Sequence, residues 1–137
     1  MAPKLIPSIL VCVTSQTSCE RLIRAGSKLL EDSQQLRVLS IQPRSQANGN
    51  PDALEHLFSV STDVGAEMAV YYSDNPVDTA KMYINRHPIV KIVVGAAPGG
   101  GASLFISSLR QAFPGIPILV VTGDSRLIQI SSEGITL

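Results

Sequence analysis

Short apolar runs alternate along the chain with longer segments whose apolar residues recur every three or four positions. Ser8 to Val13 (SILVCV), Leu36 to Ile41 (LRVLSI), Glu67 to Tyr72 (EMAVYY), Ile89 to Val94 (IVKIVV) and Ile116 to Val121 (IPILVV) read as five strands. The first, fourth and fifth are nearly continuous in apolar residues, as strands covered on both faces are. Four helices fall between them. Thr17-Ser-Cys-Glu20 has the spacing of a capping box, and Leu22, Ile23, Gly26, Leu29 and Leu30 form an apolar stripe for a first helix ending near Gln34. Asn50-Pro51 signals the start of a second helix with Leu54, Leu57, Phe58, Ser61 and Val64 on its buried face and Gly65 at its end. Asn75-Pro76 repeats that signal for a third helix with Val77, Ala80 and Ile84, closed by His87-Pro88. A fourth runs from about Ala102 to Phe113, with Phe105, Leu109 and Phe113 in register, and Pro114-Gly115 stops it.

Strands alternating with helices at this spacing imply right-handed crossovers and a doubly wound α/β fold, a parallel sheet with helices on both faces. The remainder after Thr122 has room for a short sixth strand, at a sheet edge or paired with another copy. Neither an internal repeat nor a linker interrupts the pattern, so residues 1–137 read as one domain with a core over 8–122 and a tail over 123–137.

Composition narrows the function. With 137 residues, 45% hydrophobic and 16% charged, the chain is long enough to bury roughly two thirds of its unfolded surface. Eleven basic residues balance eleven acidic ones, which leaves no broad positive field for a nucleic-acid backbone. Three Phe, three Tyr and no Trp make a base-stacking platform a poor expectation. The apolar runs are strand-sized, far short of a membrane span, and the run Ile9 to Val13 is too short for an export signal. A cytoplasmic protein with Cys12 and Cys19 as reduced thiols is expected.

Candidate chemistry concentrates in Ile89 to Ser103 (IVKIVVGAAPGGGAS), where an apolar strand breaks into four glycines before a helix. Such a turn exposes backbone N–H groups to an anion, or merely permits a tight strand-to-helix connection; both readings stand. Gly95 and Gly100 have the spacing of the first half of a P-loop, but Gly101-Ala102 replaces the required Lys-Ser/Thr. A dinucleotide fingerprint fails because Leu104 stands where the third glycine belongs. A phospho-acceptor receiver fails for want of acidic residues after the first strand. Cys12 reads as a small buried hydrophobe or, less simply, as the nucleophile of a phosphoryl-transfer module. Asp74 and Asp124 read as turn residues or as holders of a magnesium ion, and His56 and His87 belong to solvent or to a satisfied core. The loop from Thr14 to Ser18 is either a capped turn or a phosphate-binding loop of the kind flavin-binding modules use.

The segments SILVCVTSQTSCERLIRAGSKLL, IVKIVVGAAP and IPILVVT, in this order and spacing, resemble the universal stress protein family. Within it they are most similar to the stress-protein-like domain of KdpD-type potassium sensor kinases. The resemblance spans about residues 8 to 122 and implies strand order 3-2-1-4-5, with the loops after the first and fourth strands side by side. It implies a non-catalytic regulatory role, homodimers formed through the last strands, and an adenine nucleotide, either ATP or a cyclic dinucleotide. Carried onto this chain, the adenine and ribose side involves Thr14, Ser15 and Ile41, and the phosphate side Gly95, Gly99, Gly100, Gly101 and Ser103. The chain departs from the family's ATP-binding pattern at Thr14, where an Asp is usual, and at Pro98 and Ser108-Leu109, where the phosphate motif has Gly and Gly-Ser/Thr. A ligand-free dimerisation or interaction module, and a small flavin-binding or phosphoryl-transfer module, are the alternatives.

Overall fold

A computed structural model describes residues 6–14, 17–46, 51–96, 104–123, 126–131 and 134–136. In chain order the elements are β1 (Ser8–Val13), α1 (Glu20–Lys28), β2 (Gln35–Gln42), α2 (Pro51–Asp63), β3 (Glu67–Tyr72) and α3 (Pro76–Arg86). There follow β4 (Ile89–Gly95), α4 (Leu104–Ala112), β5 (Ile118–Val121), β6 (Leu127–Ser131) and β7 (Gly134–Thr136). All seven strands join one sheet in the order β3-β2-β1-β4-β5-β6-β7. The first five are parallel, as expected for a doubly wound fold, and β6 and β7 add antiparallel. The expected sixth strand therefore pairs within its own chain, along the whole of β5, and a hairpin extends it by one more strand.

Alternation along β1 divides the core in two. Ile9, Val11 and Val13 face α1 and α2, where they pack with Leu22, Ile23, Leu57 and Val60. Leu10 belongs to the other layer, with Ala80, Tyr83 and Ile84 of α3 and Ile106 and Leu109 of α4. α1 approaches the sheet at Gly26, where an added Cβ would stand 2.6 Å from Val11 Cγ2 and 3.1 Å from Leu36 Cδ1. At the amino-terminal end of the strands Arg37 knits three elements: its Nε donates to Ser8 Oγ (3.3 Å) and its Nη1 to Glu67 Oε2 and Tyr83 Oη (both 3.4 Å).

Local details differ from the sequence expectations. The helix starts later than the capping box from Thr17 to Glu20 suggests: a 3₁₀ turn covers Thr17–Cys19, and Cys19 is the N-cap of α1, with no side-chain capping bond of its own. The Glu20 carboxylate accepts from Arg24 Nε (2.7 Å) and lies 2.8 Å from His56 Nε2, which ties the first turn of α1 to α2. α1 also stops at Lys28 rather than near Gln34, and Ser33 reverses the chain at φ 67°. Asn75 precedes Pro76 at the start of α3, as expected, but makes no side-chain cap. On α2 the buried face is Ala53, Leu57, Val60 and Ser61, while Phe58 is 58% exposed. That helix ends as expected at Gly65, at φ 74°, where Ala66 N–H donates to Ser61 O and Gly65 N–H to Thr62 O. These two bonds are those of a Schellman motif, which needs a left-handed residue at this point. β5 begins at Ile118, because Ile116 N–H is held by Phe113 O in the turn after α4.

Candidate functional site

β1 and β4 are neighbours in the sheet, yet α1 leaves β1 toward one face and α4 covers the other. With the two helices on opposite faces, a crevice opens at the carboxyl ends of these strands, the place where ligands bind in open α/β sheets. A cavity of 560 Å³ lies there, within the roughly 300–1,000 Å³ of small-molecule sites. Its walls come from the end of β1 (Cys12, Val13, Thr14), the start of α1 (Cys19, Arg21, Leu22) and the end of β4 (Val94, Gly95, Ala96). Ile41 on β2 and Phe105 on α4 extend the apolar side.

Local bonds hold the walls. Thr14 Oγ1 lies 3.4 Å from Cys19 Sγ, which ties the residue after β1 to the N-cap of α1. Ala96 N–H donates to Val121 O (3.1 Å), so the β4 pairing with β5 continues one residue beyond Gly95. A Cβ placed on Gly95 would stand 3.3 Å from Leu22 Cδ1, so glycine is what lets α1 lie this close to the strand end. Arg21 Nη1 donates to the Thr122 carbonyl (2.7 Å), joining the first turn of α1 to the chain just after β5.

Three of the residues expected at a ligand site, Thr14, Ile41 and Gly95, line this one cavity. Ser15, Gly99, Gly100, Gly101 and Ser103 lie outside the described residues, as does Asp124. Asp74 takes a turn role: its Oδ1 accepts the backbone N–H of Arg44 (3.1 Å), pinning the loop after β2 to the loop after β3. Among the described residues no group of three or more His, Cys, Asp or Glu is arranged to hold a metal ion.

Cys12 lines the cavity wall, and burial pushes its thiol up to about 12. That direction disfavours the thiolate, the form in which a cysteine acts as a nucleophile. The sequence reading missed Arg21, the one charged side chain among the described lining residues, because it appears there as one of several cations on the polar side of α1. Its usable signal is position: it falls in the first turn of the helix that follows the switch-point strand.

No family model and no curated protein matches the sequence. The fold is similar to that of a universal stress protein from Archaeoglobus fulgidus, with a TM-score of 0.63 over 85% of this chain and 93% of that one at 16% identity. At that identity the likeness speaks for the fold. Among the described residues no helix is long and apolar enough to cross a membrane.

Proposed function

We propose that this chain is a non-catalytic regulatory domain of universal stress type that binds an adenine nucleotide in the crevice between β1 and β4. The observation that carries the reading is the convergence of Thr14, Ile41 and Gly95 on a single 560 Å³ cavity at the switch point of a universal-stress-like fold. The base lies against Ile41 and the apolar side of the cavity, the ribose near Thr14, and the phosphate side at Gly95. The regulatory role follows the likeness to the stress-protein domains of KdpD-type sensor kinases, some of which bind a cyclic dinucleotide. The domain works in the cytoplasm as a homodimer, with the contact at the β6–β7 hairpin, since that hairpin already covers the edge of β5.

Calorimetric titration of unfolded and refolded, nucleotide-free protein tests this. Adenine nucleotides bind saturably, and Thr14→Tyr, which adds bulk at an exposed position on the cavity wall, blocks binding without lowering the melting temperature. Heat traces that match buffer for adenosine, AMP, ATP and cyclic di-AMP alike would remove the nucleotide from the account.

A further inference from the structure

We infer that Arg21 is the specificity-determining residue of the cavity and that it selects a nucleoside bearing one phosphate over a magnesium-bound triphosphate. This rests on the nucleotide reading above and goes beyond it by naming the ligand class. Arg21 is exposed, stands in the first turn of α1 and lines the cavity. Its hydrogen-bond acceptor in the fold is neutral: Nη1 donates to the Thr122 carbonyl at 2.7 Å, which orients the guanidinium without cancelling its charge. The contrast with its neighbours is direct, because Arg24 is paired with Glu20 at 2.7 Å and Arg37 with Glu67 at 3.4 Å.

A guanidinium has five donors in a planar fork, so with one donor committed to Thr122 it still offers a phosphate group two parallel hydrogen bonds. The rest of the wall is suited to the other end of such a ligand: Val13, Leu22, Ile41, Val94 and Phe105 make an apolar surface for a flat ring. Against a triphosphate stands the composition of the same wall. A magnesium-bound triphosphate is usually held through one or two carboxylates as well as its phosphates. The described lining residues include no Asp or Glu, and Asp74 is engaged at the Arg44 backbone. Among the described lining residues, one cation and no carboxylate match one phosphate without a metal.

The test titrates adenosine, AMP, and ATP with magnesium into the parent protein and into Arg21→Gln. AMP should bind at least about tenfold more tightly than adenosine and than magnesium-ATP, since a charged hydrogen-bonded pair is worth about tenfold to a hundredfold in affinity. Arg21→Gln should lose that factor for AMP while leaving adenosine within about twofold, a split that a structural role for Arg21 would not produce. Adenosine binding as tightly as AMP, magnesium-ATP binding more tightly than AMP, or an equal loss of adenosine and AMP in the variant would each overturn this inference and leave the nucleotide site standing. If none of the three ligands binds, the nucleotide reading fails and this inference fails with it.

Discussion

Gly26 of α1 packs directly on Val11 of β1, so closely that a Cβ at position 26 would stand 2.6 Å from Val11 Cγ2. Helix propensity alone favours alanine over glycine by about 1 kcal/mol in a helix interior. Overpacking a tight core contact costs about 1–3 kcal/mol, and here the contact is to a fully buried strand residue that has little room to yield. Gly26→Ala should therefore be destabilising, by up to about 2 kcal/mol in urea denaturation. A stabilised variant would mean that α1 does not lie this close to the sheet.

The orientation of α2 is tested by two adjacent residues. Leu57 is fully buried in the layer beneath α1 and α2, whereas Phe58 is 58% exposed. Leu57→Ala should cost about 2–5 kcal/mol and Phe58→Ala less than about 1 kcal/mol. A cost for Phe58→Ala as large as that for Leu57→Ala would restore the face that the sequence pattern suggests, on which both are buried.

Stability should fall in mild acid through His87. Burial, together with the positive charge of Arg37, holds this imidazole below its ordinary value of 6.5, and its ring lies 4.2 Å from that of Tyr83. Below that pH the unfolded chain takes up a proton that the folded one resists, so the stabilisation is complete above about 6.5 and is lost as pH falls through the lower folded value. Melting curves between pH 5 and pH 7.5 should show a smaller acid loss for His87→Phe, which keeps a ring against Tyr83 but cannot titrate. An identical pH dependence in variant and parent would contradict the assignment.

Cys12 should be chemically quiet in the folded protein. With its thiol raised to about 12, the thiolate is scarce at pH 8, and a disulfide reagent should modify Cys12 far more slowly in native protein than in denaturant. Labelling followed by peptide mass mapping separates Cys12 from Cys19. Rapid native labelling of Cys12 would favour nucleophilic chemistry at the cavity.

The sequence carried the fold where strands are covered on both faces and lost it where short-range signals compete. SILVCV and IVKIVV are legible because a strand buried on both sides has almost no polar positions. The end of α1 is not, because Leu29, Leu30 and Glu31 are good helix formers and nothing in them announces the reversal at Ser33. On α2 the pattern admits Leu57 with either Phe58 or Val60 at helical spacing; the larger ring suggests the wrong side, and the sheet settles the choice. β7 has only three residues, too few for an alternating pattern to emerge. For the candidate site, the strand ends that supply Thr14 and Gly95 are readable from order along the chain, and Ile41 comes from the family resemblance. Arg21 was not, since its place on the cavity wall depends on α1 starting at Glu20 and on the long-range bond to Thr122.

The most direct measurement of the central claim is an amide NMR titration of nucleotide-free protein with AMP. Saturable shifts confined to Thr14, Cys19, Arg21, Ile41, Gly95, Ala96 and their neighbours are the predicted result. Unchanged spectra, or shifts centred instead on Phe58, Thr62 and Glu67 around a hollow beside α2, would contradict it.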